Sequence, residues 1–259
     1  MIDAWLRLPA FWLFTVLVAA YAFTGILWSW VSFWSPLSLR VRTLNGVVAP
    51  FFGSVGILFS LLTGFLANDI TEHQRLAWRA VHKEASAISS VFSLSVASAS
   101  DMAEIRAALQ AYAEAVVTDE WPKLARDQHS AITDAAMSEL LRRVSDSAIS
   151  REAGQALHNN LLRAALDIRD ARGDRLSLAS DQTDRLNWAT VLLLGLFTQL
   201  AIALVHLERP NAQAAALFVF SLAAVVALGL IALQDHPFKG TIRISPAPLQ
   251  RAVSLIVPP

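Results

Sequence analysis

The residues best suited to chemistry in this chain are small and weakly polar, and they recur along one apolar run. The run Gly46–Ala67 contains no charged residue, and Asn68 follows it directly. Gly56, Ser60 and Gly64 are spaced by four residues, which places them on one side of a helix. In a membrane, such a face either lets another helix approach closely or lines a pathway. Two hypotheses therefore apply to this run, ion conduction and helix packing.

Catalytic and metal-binding patterns are weaker. The chain has no cysteine, and its six histidines form no HExxH or comparable ligand pair. Asp167, Asp170 and Asp174 resemble a ligand cluster, but arginines 169, 172 and 175 alternate with them. This alternation favours a solvated or intersubunit salt-bridge face. We predict no catalytic residue, no metal and no cofactor, and the net charge of zero argues against nucleic acid as a partner.

Four long charge-free gaps set the class of the protein. A helix needs roughly 20 apolar residues to cross the hydrocarbon of a bilayer, and each gap contains such a run. The composition agrees, with 55% hydrophobic and 16% charged residues. We predict spans at Phe11–Trp34, Gly46–Ala67, Trp188–Leu207 and Ala212–Gln234. A cleaved signal peptide is the alternative for the first run, but that run is longer than a signal peptide needs.

The basic residues near the span ends predict the orientation. With four spans, both termini and the middle segment share one side of the membrane. That side has ten basic residues near the spans, and the other side has Arg40, Arg42 and Arg209. The positive-inside rule therefore places both termini and the middle segment in the cytoplasm. A receptor with its middle segment outside the cell is the disfavoured alternative.

The middle segment, residues 68–187, is predicted to be a helical bundle. Its apolar stripe continues directly from the second span, so one long helix should run from the membrane into this segment. Candidate helix starts are Asp101, then Ser130 or Thr133, and then Ser150, which should open a long helix through Leu157 and Leu166. Glu120-Trp121-Pro122 should end a helix, because proline disfavours helical geometry in the preceding residue.

Several motifs, taken in order, resemble those of the bacterial bestrophin-like membrane proteins. The resemblance extends from residue 46 to about residue 253, and its motifs are Glu84-Ala85, Tyr112, Glu120-Trp121-Pro122, Asp235-His236-Pro237-Phe238-Lys239-Gly240 and Ser245-Pro246-Ala247-Pro248-Leu249. This resemblance implies a distant relation to bestrophins, which are pentameric ion channels with cytoplasmic termini.

The resemblance also implies positions for a pore. Bestrophins have a proline in the second span and a glycine six residues later, as Pro50 and Gly56 are here. On that pattern the neck-lining positions are Ala49, Gly53 and Ile57, where bestrophins have bulkier side chains. The calcium-binding acidic cluster of animal bestrophins has no counterpart in the tail, which favours Asp235 as a helix-end or interface anchor.

The resulting prediction is an all-α, bestrophin-like membrane protein with four transmembrane helices in a two-plus-two arrangement around a cytoplasmic helical bundle. The predicted divisions are residues 1–67, 68–187, 188–234 and 235–259. The predicted function is a homo-oligomeric channel, a pentamer by resemblance, that conducts small inorganic ions across the bacterial inner membrane among its lipids. The candidate pore-lining residues are Ala49, Gly53, Gly56, Ile57, Ser60, Gly64, Asn68 and Asp69. The alternative is a non-conducting scaffold or sensor whose bundle binds a partner.

Overall fold

The computed structural model describes residues 2–36, 38–43, 49–181, 185–240 and 242–256. These residues fold into helices joined by turns. The α-helices are α1 (Ile2–Leu6), α2 (Ala10–Phe33), α3 (Ser38–Arg42), α4 (Ala49–Ala97), α5 (Ala103–Ala115), α6 (Trp121–Leu124), α7 (Ala131–Val144), α8 (Ser147–Ala153), α9 (Gln155–Ser180), α10 (Arg185–Val205), α11 (Pro210–Ala232) and α12 (Ala247–Ile256). A π-helical turn, Val116–Glu120, joins α5 to α6.

Four helical stretches are long and apolar enough to cross a membrane, as predicted. They include α2, the first part of α4, α10 and α11. A helix satisfies its own backbone hydrogen bonds, which is what hydrocarbon requires of a spanning segment. Residues 46–48 of the predicted second span lie outside the described residues. The prediction that this helix continues past the membrane is confirmed, because α4 is unbroken over 49 residues.

The chain divides into two compact units. The first is drawn from Met1–Glu72, Thr183–Asp235 and Gly240–Ile242, and the second from His73–Gln182, His236–Lys239 and Arg243–Pro259. α4 begins in the first unit and ends in the second.

The first unit packs apolar side chains of α2, α4, α10 and α11 around close helix contacts. A Cβ at Gly195 of α10 would collide with the Tyr21 hydroxyl, and one at Gly229 of α11 would overlap the ring of Phe14. Gln199 of α10 forms hydrogen bonds with α2 and with α11. Its amide group donates to the Tyr21 carbonyl at 3.0 Å and to Ser221 at 2.9 Å, and its carbonyl oxygen accepts from Thr24 at 2.6 Å. Small residues and interhelical hydrogen bonds are the usual means of packing helices in lipid.

The second unit is a helical bundle with its own apolar core. Side chains from the latter part of α4 and from α5, α7, α9 and α12 meet in it, among them Ile88, Leu109, Leu140, Leu161 and Leu249. Each core residue comes from an apolar stripe of a helix whose opposite side is polar.

Of the three predicted helix starts in this unit, Ser130 fits the structure, Asp101 lies one residue before the N-cap Met102, and Ser150 is wrong. The Ser130 hydroxyl accepts from the Thr133 amide at 3.1 Å and caps α7, and Asp101 accepts from the Ala103 amide at 2.9 Å at the start of α5. Ser150 does not begin the long helix. It lies inside α8, and α9 begins after Gly154. The φ of 88° at Gly154 is not helical, so it separates α8 from α9.

The predicted helix end at Glu120-Trp121-Pro122 is also wrong. Helical backbone continues through Trp121 to Leu124, because the π-helical turn precedes the proline and places Pro122 in the first turn of α6. The winding is continuous with α5, and the Trp121 amide still donates to the Val116 carbonyl in the π-helical pattern. Pro122 has no amide hydrogen to donate, so the wider π-helical winding accommodates its ring with the loss of one backbone hydrogen bond.

Candidate functional site

The candidate pore-lining residues lie along α4. Ala49 is its first residue, and its side chain lies outside the described residues. A Cβ added at Gly53, Gly56 or Gly64 would meet no atom within 4 Å. Four further candidates are exposed within the chain, namely Ile57, Ser60, Asn68 and Asp69. We define Gly53, Gly56, Ser60, Gly64 and Asn68 as the small-residue stripe, and none of the helices that the structure describes covers it.

Asp69 differs from the other candidates in its direction. One residue turns a helix by about 100°, so Asp69 is offset by that angle from Asn68. The residues one and two turns before it are Phe65 and Leu61, both large, apolar and exposed. Asp69 therefore continues an apolar stripe beside the small-residue stripe.

The uncovered side of α4 extends well past the predicted span. Leu76, Trp78 and Val96 are all exposed, with 53% of the Trp78 surface accessible. On the opposite side of the same helix, Ala77, Val81 and Ile88 are buried in the core of the second unit. Arg79 and Ser86 lie between them on the exposed side, and the Trp78 ring stacks on His82 with the ring centroids 3.8 Å apart, so this part of α4 has a mixed polar and apolar surface.

A second site is a group of charged side chains inside the second unit. We call Glu84, Glu120, Arg172 and Arg175 the buried charge cluster, because all four are buried. Arg175 donates to Glu84 from Nε at 2.6 Å and to Glu120 from Nη2 at 2.6 Å. Arg172 donates from Nε to Glu120 at 3.0 Å. The two carboxylates and the two guanidinium groups thus compensate each other in charge, which burial requires.

Neighbouring groups complete the cluster. The Tyr112 hydroxyl donates to Glu84 at 2.6 Å, and Arg172 also donates to Asp134 at 2.7 Å. The Trp121 ring lies 5.5 Å from the Arg175 guanidinium carbon, within the range of a cation–π contact. Burial and the negative charge of Glu84 raise the pKa of Tyr112 well above its usual value, so this hydroxyl stays protonated and donates.

The two carboxylates hold the arginines in their charged form. Burial by itself lowers the pKa of an arginine, but Glu84 and Glu120 outweigh it and raise the pKa of Arg175 above its ordinary value. Burial also opposes the charge of Asp134, yet hydrogen bonds from Arg172 and His129 bring its pKa below the ordinary range. Arg175 and Asp134 therefore stay ionised at physiological pH, which suits a structural role for the cluster.

The salt-bridge prediction for α9 is wrong for two of its three arginines. Arg169 does pair with Asp170 on the exposed side, and Asp174 lies 3.8 Å from Lys83. Arg172 and Arg175 instead point into the core, toward acids 52 and 91 residues away in the chain. The spacing of Arg172 and Arg175 indicates this burial, since both continue the buried stripe of Leu161, Ala165 and Ile168.

The motifs at the end of the last span also find partners. Asp235 is buried just after α11 and accepts a hydrogen bond from the Trp188 indole at 3.0 Å, as a helix-end anchor would. Phe238 packs edge-on against Trp121, with ring centroids 5.6 Å apart. Across the described part of the chain, no three His, Asp or Glu side chains are grouped as metal ligands would be.

The chain matches a known protein family. The family model of the bestrophin-like domain matches residues 18–249. No curated protein matches the chain in sequence.

Solved structures share the fold at low sequence identity. A substituted variant of a bacterial bestrophin homologue from Klebsiella pneumoniae has a TM-score of 0.69 at 11% identity, covering 95% of this chain and 99% of that one. Another structure of a bestrophin homologue from this organism has a TM-score of 0.64 at 12% identity, covering 94% and 95%. A third, described as a membrane protein, has a TM-score of 0.67 at 10% identity, covering 94% and 98%. Because the family model spans most of its length, the chain belongs to the bestrophin-like domain family of membrane proteins.

Proposed function

We propose that the protein is a homo-oligomeric ion channel whose pore is lined by the membrane-spanning part of α4. The observation that carries the proposal is the small-residue stripe of α4, where a Cβ added at Gly53, Gly56 or Gly64 would meet no atom of the described residues within 4 Å. In the span, lipid could cover this stripe. Small residues at this spacing are instead typical of a helix that another helix approaches closely or that lines a pathway, so we infer a protein surface beside the stripe.

Copies of the same chain around an axis supply that surface with the fewest assumptions. Closed rings are built by repeating one subunit contact around an axis. In the proposed ring, α4 of every subunit faces the central axis, where the small-residue stripe leaves space for ions and for their hydration. Membership of the bestrophin-like family supports a channel, and five subunits is the number that the resemblance to bestrophins implies.

The proposal includes an orientation. The protein spans a bacterial inner membrane, with both termini and the second unit in the cytoplasm. Ten basic residues near the span ends lie on that side and three on the other, which supports this orientation by the positive-inside rule. Reporter fusions after Ser130 and after Pro259 should report a cytoplasmic position, and a fusion within residues 208–211 an external one. A periplasmic signal from Ser130 would contradict the orientation and favour a receptor.

Conduction is tested with the purified oligomer in planar bilayers and in liposomes that report ion flux. Gly56→Leu should reduce flux at least tenfold, because the new side chain enters the space that the stripe leaves open. Gly173→Leu, which adds the same side chain in open space on α9, is the matched control and should leave flux unchanged. A stable monomer would contradict the oligomer, and an oligomer without flux would favour the non-conducting scaffold.

A further inference from the structure

One histidine of α4 differs from the others in its contacts. Ring nitrogens form hydrogen bonds at four other histidines, namely His73, His129, His158 and His206. His82 forms no hydrogen bond with any residue that the structure describes. Its ring instead stacks on Trp78, one turn earlier in α4, with 3.8 Å between the ring centroids and 36° between the ring planes. The stacking holds the imidazole in place and leaves both of its nitrogens available to a ligand.

The stacked pair lies on the same side of α4 as the small-residue stripe. α4 is one unbroken helix, and five turns of about 3.6 residues contain about 18 residues. Trp78 follows Ser60 by 18 residues, and His82 follows Gly64 by the same number. Arg79 and Lys83 each come one residue later, which turns them about 100° away from this side. The pair therefore continues the small-residue stripe beyond the predicted span.

Symmetry would multiply this histidine. In the proposed ring the stripe of every α4 faces the axis, so the inference rests on the proposed function. Each subunit then contributes one His82 at the same level of the pathway. Within one chain, the described residues include no group of three His, Asp or Glu side chains that could hold a metal ion. A metal site at His82 is therefore complete only in the oligomer.

The geometry of metal coordination sets a condition on the pathway. Zinc binds imidazole nitrogen at about 2.0–2.1 Å, so two nitrogens on one ion lie no more than about 4 Å apart. The pathway has to be narrow at His82 to meet this condition. Trp78 favours a narrow pathway, because its large ring lies beside the imidazole with 53% of its surface exposed.

We propose that the His82 side chains of neighbouring subunits bind a zinc ion on the axis and that the bound ion obstructs the pathway. Imidazole suits zinc, nickel and copper, whereas magnesium prefers oxygen ligands. The nearest lysine does not supply a competing charge at the axis, since Lys83 lies 3.8 Å from Asp174 of α9. The site makes the proposed channel sensitive to transition metals.

The first measurement is metal binding, and it does not need flux. The purified oligomer, prepared without a polyhistidine tag, is dialysed against Zn²⁺ or Mg²⁺, and its metal content is measured by inductively coupled plasma mass spectrometry. The native protein should hold one zinc ion per oligomer and no magnesium. His82→Ala should weaken zinc binding by more than about 100-fold, and Trp78→Leu, which keeps the ligand but removes its stacking partner, about tenfold.

Two further variants separate ligation from folding. His82→Cys restores a zinc ligand and should retain binding, because thiolate is also a ligand of zinc. His129→Ala, at an exposed histidine on another element, is the control and should bind zinc as the native protein does. Size-exclusion chromatography confirms that each variant is still an oligomer.

The second measurement is flux in liposomes. Zn²⁺ should reduce the flux of the native protein, Mg²⁺ at the same concentration should not, and His82→Ala should conduct in the presence of Zn²⁺. Absence of zinc binding, one zinc ion per subunit, or unchanged binding in His82→Ala would each overturn the site. Flux without zinc binding would overturn the site and leave the channel standing. Zinc binding at His82 without flux would support the site and contradict conduction.

Discussion

Replacing Arg175 by methionine isolates the contribution of charge to the second unit. The two side chains are similar in length, so packing changes little, but three hydrogen bonds to carboxylates are lost, two to Glu84 and one to Glu120. Arg172 still compensates Glu120. Glu84 still accepts a hydrogen bond from the Tyr112 hydroxyl but has lost its ion pair with Arg175, which leaves one uncompensated buried carboxylate.

Removing one partner of a buried ion pair costs about 3–5 kcal/mol of unfolding free energy. For a domain of this size, 1 kcal/mol shifts the melting temperature by about 2–4 °C, so Arg175→Met should lower it by roughly 6–20 °C. The measurement is thermal unfolding of the detergent-solubilised protein followed by tryptophan fluorescence. Arg169→Met, on the exposed side of the same helix, is the control and should shift the melting temperature by less than about 2 °C.

A second variant separates charge from packing. Glu84→Gln combined with Arg175→Met removes both charges, so at least half of the lost stability should return. A loss of less than about 2 °C in Arg175→Met would refute the reasoning. A double variant as unstable as the sum of the single variants would assign the effect to packing.

Three further predictions concern the pore, the membrane core and pH. If the acidic middle segment makes the channel cation-selective, Asp69→Lys should shift the reversal potential in asymmetric salt toward chloride, and an unchanged potential would place Asp69 off the pathway. Gly195→Val should lower the melting temperature by several degrees because its Cβ collides with Tyr21, whereas Gly173→Val, in open space on α9, should cost less; equal losses would contradict the packing. Two arginines hold the pKa of Glu139 at about 2, below its ordinary 4.5, so its stabilisation is complete above pH 4.5 and declines as the pH falls toward 2. Glu139→Gln should therefore lose less stability than the native protein between pH 5 and pH 3, and identical pH profiles would contradict this.

The sequence predicts the membrane spans well because crossing a bilayer imposes length and polarity on a contiguous stretch of chain. α2 differs from the predicted span Phe11–Trp34 by one residue at each end, and α11 differs from Ala212–Gln234 by two. The Ser130 cap is equally local, since it joins residues three apart. Such features need no knowledge of the rest of the fold.

The buried charge cluster could not be found by local rules. On α9 alone, Arg172 and Arg175 have acids nearby in sequence, which favours an exposed face. Their true partners, Glu84 and Glu120, lie on other elements, and only the bundle brings them together. Heptad spacing does contain the information, because Glu84 occupies a position in the buried stripe of Ala77, Val81, Ile88 and Val91. A charged residue in an apolar stripe predicts a buried partner of opposite charge.

The π-helical turn was also beyond the sequence rules. Its wider winding changes the direction of Glu120 relative to α5, and Glu120 is buried at its end. Proline rules consider the residue before Pro122 and not the winding of the previous turn. The uncovered side of α4 is similar in kind, because a stripe of small residues predicts a contact without identifying what covers it.

The separation of the cluster along the chain has a consequence for biosynthesis. Glu84 leaves the ribosome 91 residues before Arg175, which at 5–20 residues per second is an interval of about 5–18 seconds. During that interval the first two spans can insert into the membrane, while the carboxylates of Glu84 and Glu120 have no Arg172 or Arg175 with which to form ion pairs. The second unit therefore closes late, after α9 has been synthesised. A nascent chain stalled before Arg172 would expose an incomplete core to chaperones and proteases of the cell.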